Sequence, residues 1–139
     1  MKKTINAITA AMIVMCFLVY CKKEDKDDGA VNQTTQKLLG RWTFLNSTFN
    51  EYHSNADHIR VTPGQQGDYI EFKSGGTAII RLLGASDTSK FSVTKDNKVV
   101  FDQVDVFDLK TLSESDLVLY RKVVYSSANY SEETYTLKK

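Results

Sequence analysis

From Leu38 onward the chain repeats one unit: a short run of β-branched and aromatic residues, a turn, then another such run, with 8–12 residues from turn to turn. No stretch of useful length has helical period, so apolar side chains cannot gather on a helix face. Gly40 to Phe49 opens the series, and a weaker segment, His58 to Thr62, follows. Asp68 to Lys73 ends in Ser74-Gly75-Gly76, a hairpin signal, and Thr77 to Leu83 is its return strand. Lys90 to Lys95 meets Lys98 to Gln103 across Asp96-Asn97. Val104 to Leu112, Leu117 to Tyr125 and Tyr130 to Lys138 complete the chain. About eight strands joined by short turns predict an all-β, antiparallel meander. Closing into a barrel removes the exposed edges of such a sheet. A two-sheet β-sandwich has the same hydrophobic pattern and is the alternative.

The first 36 residues are not part of that pattern. Lys2 and Lys3 precede an uncharged stretch, Thr4 to Tyr20, that is apolar from Ala7 onward except for Thr9. That is a secretory signal pattern, and residues 1–20 are assigned to it. The stretch ends in Leu18-Val19-Tyr20-Cys21, which resembles a bacterial lipobox. In such lipoproteins the Cys becomes the first residue and carries diacylglycerol and a further acyl chain such as palmitate. The resemblance therefore implies lipid attachment at Cys21. Tyr20 departs from the Gly, Ala or Ser usual before that Cys. Lys22 to Asp28 is an unbroken run of seven charges that resembles the export signal of surface lipoproteins of Bacteroidota. With the polar stretch to Gln36, residues 21–36 read as a lipidated Cys and a flexible, charged tether. As a coil such a tether would span on the order of 20 Å. The implied location is the outer membrane, on its periplasmic face or, preferentially, at the cell surface.

Composition narrows the function classes. A net charge of +1 lacks the basic excess of a phosphate-dominated nucleic-acid binder. Two cysteines, both within the first 21 residues, leave no disulfide scaffold or zinc ribbon for the β region. Nucleophile elbow, phosphate loop and zinc-protease helix are all missing, so no enzyme is expected. No cofactor or metal is implied. Glu132 and Glu133 are adjacent on a strand and must face opposite ways, which excludes a cooperating carboxylate pair.

Leu38-Leu39-Gly40-Arg41-Trp42 is similar to the opening of lipocalin-like proteins, where Gly-x-Trp begins the first strand. Tyr69 to Thr77, Leu112 to Tyr120 and the closing Tyr135 to Lys139 follow in the same order and spacing. Behind a lipoprotein signal they resemble the lipocalin-like lipoproteins of Bacteroidota, over residues 37–139. The resemblance implies an eight-stranded barrel, with Gly40 and Trp42 as barrel-closing structural residues. It also implies a small apolar or amphipathic ligand inside. The alternative is a barrel filled by Trp42, Phe44, Ile70, Phe72, Phe101 and Leu119, acting through its surface as an accessory subunit of an envelope complex.

Two arginines are candidate ligand-binding residues. Arg121 shares a strand face with Leu119 and Val123. Facing inward it would stack over Trp42, as a basic residue does in lipocalins, or pair with the carboxylate of a bound acid; otherwise it faces solvent. Arg81 shares a face with Ile79 and Leu83, and either points inward or lays its stem over apolar surface with its head in water. His53 and His58 fall in a polar segment read as a solvated loop. The long connection from Glu51 to Gly67 is the expected place of ligand access.

Overall fold

The computed structural model describes residues 26–53 and 56–139. The signal segment 1–20 and Cys21 lie outside the described residues. A helix, α1 (Lys26–Leu38), precedes nine antiparallel strands: β1 (Gly40–His53), β2 (Ala56–Pro63), β3 (Tyr69–Lys73), β4 (Thr77–Leu82), β5 (Ala85–Val93), β6 (Lys98–Phe101), β7 (Asp105–Leu112), β8 (Asp116–Ser126) and β9 (Asn129–Lys138). The strands β3 to β9 pair in chain order, and β1 pairs with both β3 and β9. That last pairing closes an eight-stranded barrel from β1 and β3 to β9. The all-β barrel is therefore the fold, and the sandwich is not.

Alternation along each strand decides what the barrel holds. Trp42 and Phe44 of β1, Ile70 and Phe72 of β3, Val99 and Phe101 of β6, and Leu117 and Leu119 of β8 are all buried. Phe72 meets Phe91 edge-on, with ring centroids 5.0 Å apart, and Phe101 meets Phe107 in the same way at 5.9 Å. The lower half of the barrel is thus a packed core.

Helix α1 corrects the expectation of a coil through Gln36. Lys37 lies in its last turn, where a cation suits the helix dipole, and the Thr35 hydroxyl bonds the Val31 carbonyl at 2.8 Å. The decisive anchor is tertiary. Leu38 is fully buried, and the Trp42 indole N–H donates to its carbonyl at 2.7 Å. A helix end whose orphan carbonyl is capped by the barrel no longer depends on its own weak propensity.

The Glu51 to Gly67 connection is also not the long loop its composition predicts. β1 continues to His53 and pairs with β2 from Asn46↔Pro63 to His53↔Ala56. His53 and His58 therefore belong to a hairpin. On its other side β1 pairs with β9 up to Tyr52↔Tyr130, and β9 pairs with β8 up to Ser126↔Asn129. The upper ends of β2, β1, β9 and β8 form one sheet that rises beyond the barrel. By contrast, β8 leaves β7 above the Asp108↔Tyr120 pair. The backbone ladder between the two strands ends there, and side chains take over: Arg121 of β8 contacts Asp105 of β7.

Candidate functional site: the upper barrel cavity

Above the packed core the barrel contains a cavity of about 200 Å³. Ile70, Ile80, Leu82, Phe101, Phe107 and Leu119 supply its apolar wall. Ser89, Asp87, Asp102, Asp105, Arg121 and Tyr135 supply its polar groups. Each arrives by strand alternation. Ile80 opposes Asp87 across β4 and β5, and Leu119 opposes Tyr135 across β8 and β9, so both pairs face inward together.

Arg121 faces inward, beside the point where β7 and β8 part. Its guanidinium reaches Asp105 of β7 at 2.5 Å through one terminal nitrogen and Glu133 of β9 at 2.6 Å through the other. It lies 4.9 Å from the centre of the Phe107 ring. The Tyr135 hydroxyl donates to the second Glu133 oxygen at 2.6 Å. Asp105, Arg121, Glu133 and Tyr135 thus form one chain of charge-assisted bonds across the gap in the backbone ladder. Burial works against the Arg121 charge, but its bond to Glu133 and the charges of Glu133 and Asp105 outweigh it, so its pKa is raised. Burial, then the bond to Glu133, also raises the Tyr135 pKa, which keeps the phenol a donor. Glu132 points the other way. It accepts from Tyr120 at 2.8 Å and from Lys122 at 3.0 Å on the outer surface.

This arrangement corrects two roles expected of Arg121. It does not stack on Trp42; Lys139 does, with its ammonium 4.6 Å from the ring centre. The same ammonium donates to the Lys37 carbonyl at 3.3 Å, so the last residue of the chain ties the foot of the barrel to α1. Nor does Arg121 present a free fork to a bound acid, because both terminal nitrogens already hold protein carboxylates. Its Nε is buried without a hydrogen-bond partner.

Arg81 is not brought to the cavity. Its neighbours Ile80 and Leu82 line it, so alternation puts Arg81 on the outer surface, where it is exposed. A ligand role inside the barrel is excluded by that parity. Gly40 and Trp42 sit at the foot of the barrel, Gly40 with φ +109° and Trp42 fully buried.

The rim of the cavity is built by two tight turns. Leu83 and Gly84 both have positive φ, 54° and 82°, which lets β4 reverse into β5 in two residues. Buried Asp68 accepts the Leu83 amide at 3.1 Å and the Gln65 amide at 2.9 Å, binding this turn to the β2–β3 connection. Asp102 and Gln103, also at positive φ, turn β6 into β7. The Asp102 carboxylate accepts the Lys90 amide and the Ser89 hydroxyl, both at 2.8 Å. Those bonds, the amide's first, hold its pKa below the ordinary value, so it is ionised at neutral pH.

Sequence reasoning did not find Asp87, Ser89, Asp105, Glu133 or Tyr135. The signal was present but incomplete. Once Leu119 is known to face inward, alternation carries Arg121 with it, yet only register shows that Glu133 and Asp105 flank it.

No family model matches the chain, and no curated protein matches it. Solved structures do. A deswapped triple mutant of bovine odorant binding protein matches with 20% identity and a TM-score of 0.44, over 74% of each chain. Apocrustacyanin C2 matches with 10% identity and a TM-score of 0.45, over 81% of this chain and 68% of that one. The barrel assignment rests on this chain's own β1–β9 closure.

Proposed function

We propose that the protein is a lipid-anchored lipoprotein of the cell envelope whose barrel holds one small ligand with an apolar body. The observation that carries the reading is the cavity above the packed core, with an apolar wall, a few polar groups and the β4–β5 and β6–β7 turns at its rim. Its volume limits the occupant. An apolar cavity of about 150 Å³ accommodates benzene, whereas drug-sized ligands occupy about 300–1,000 Å³. The ligand that fits is a single ring or a short chain, and a long acyl chain would have to project out of the barrel.

The binding test is native mass spectrometry of the full chain in mild detergent, offered an extract of bacterial envelope. A discrete mass increment is expected, and Ile80→Phe, which fills the cavity, should weaken the complex at least ten-fold. Retention of the complex by that variant would place the ligand elsewhere. If no increment appears, the filled-barrel alternative gains, since all six residues that reading requires are already buried, Ile70, Phe101 and Leu119 as part of the cavity wall.

The anchor rests on the sequence features around Cys21 and on the physics of acyl burial. Each buried CH₂ contributes roughly 0.8 kcal/mol, so two or more chains hold a protein at a bilayer. Labelled palmitate should enter the wild-type chain and not Cys21→Ala, which should leave the membrane fraction. Unchanged labelling of Cys21→Ala would remove the anchor from the proposal.

A further inference from the structure

We infer that the cavity selects a small organic cation, an ammonium group on a ring-sized apolar body, over an acid or a neutral molecule of the same shape. The inference rests on the ligand-cup reading and deepens it by naming the chemical class. It follows from the charges of the side chains that line the cavity, with Lys90 of β5 beside Asp102 as the further cation outside the lining.

The lining contains three carboxylates, Asp87, Asp102 and Asp105, against one guanidinium, Arg121. Glu133, bonded to that guanidinium, adds a fourth carboxylate at its edge. Among the described residues Arg121 is the only lining cation, and its two terminal nitrogens are both occupied by carboxylates. An entering carboxylate would find both terminal nitrogens taken and only the buried Nε of Arg121 unpartnered, in a site of net negative charge. A cation has no such competitor. Asp87 points inward opposite Ile80, is exposed at the mouth, and accepts only a short bond from the neighbouring Thr88 amide at one oxygen among the described contacts. The Phe107 face is taken by Arg121, and Phe101 and Tyr135 complete the aromatic part of the wall, against which the apolar body of the ligand would pack. The apolar wall makes this a site and not a mere acidic patch: it removes water from the ligand's body and lowers the local dielectric, which strengthens the charge term.

The test uses three probes of nearly one shape, benzylamine, benzyl alcohol and phenylacetate, titrated into the full chain and followed by ligand-observed NMR. The expected order is benzylamine at least ten-fold tighter than benzyl alcohol, with phenylacetate weakest. Asp87→Asn, at an exposed position, should reduce benzylamine affinity three- to ten-fold and change benzyl alcohol affinity by less than two-fold. Raising the salt should weaken the amine alone. Equal or tighter binding of benzyl alcohol or phenylacetate would overturn the cation selectivity and leave the cup standing. Failure of all three to bind at millimolar concentration would overturn the cup itself, and the selectivity with it.

Discussion

Trp42→Ala should destabilise the barrel by about 3–5 kcal/mol, the range for removing a large aromatic from a packed interior. Trp42 is fully buried at the foot of the barrel and supports three elements at once. Its ring packs in the lower core, its indole N–H caps the Leu38 carbonyl at 2.7 Å, and its face receives the Lys139 ammonium at 4.6 Å. Removing it opens a cavity, leaves a helix-end carbonyl without its donor, and frees the last residue of the chain. A domain of about 100 residues loses roughly 4–8 °C in melting temperature per kcal/mol, so the drop should be on the order of 20 °C. Thermal unfolding followed by far-UV circular dichroism, a tryptophan-independent signal, measures it, and denaturant titration with the same signal measures the free energy. Trp42→Phe keeps most of the packing and loses only the donor, and should cost about 1–2 kcal/mol. A melting temperature unchanged in Trp42→Ala would mean that α1 and Lys139 do not depend on the indole.

Gly64→Ala should cost about 2–3 kcal/mol, the upper part of the range for overpacking. A Cβ at Gly64 would lie 2.2 Å from the Phe44 carbonyl oxygen and 3.0 Å from the Phe44 ring. The obstacle is backbone, so no rotamer change relieves it. The Gly64 amide donates to the Leu45 carbonyl at 2.7 Å, fixing the close approach. β1 bulges between Phe44 and Asn46 at this same point, where its partner on one edge changes from β3 to β2. The extra methyl should therefore loosen the β1–β2 hairpin before the barrel, and hydrogen exchange should rise first at β2 amides. Uniform exchange across all strands would contradict that order. The cavity lies below this hairpin, so benzylamine affinity should change little.

The core and the fold class were legible because a strand's period of two writes burial directly into the sequence. Trp42 with Phe44, Ile70 with Phe72 and Leu117 with Leu119 each alternate with polar or less buried neighbours, and Gly75, Gly76 and Asn97 mark turns that positive φ requires. The β1–β2 hairpin was hidden because β2 is exposed along nearly its whole length and so carries no burial pattern. Helix α1 was hidden because its anchors, Trp42 and Lys139, lie outside it in the chain. Arg81 and Arg121 looked alike in sequence, each an arginine between aliphatic residues. Register separates them: Arg81 opposes Tyr69 on the outer surface, while Arg121 opposes Glu133 inside.

The sequence by itself determined an antiparallel β meander around an aromatic core, because alternation and turn chemistry are local properties; its closure into a barrel came from the β1–β9 pairing. It also carries the N-terminal residues, Lys2 to Asp28, on which the proposed envelope location rests. Only the tertiary structure decided which cation meets Trp42, which carboxylates neutralise Arg121, and that the remaining space is ring-sized and acidic. Those are consequences of register between strands distant in the chain, and electrostatic partners are set by distance in space, which no local pattern encodes.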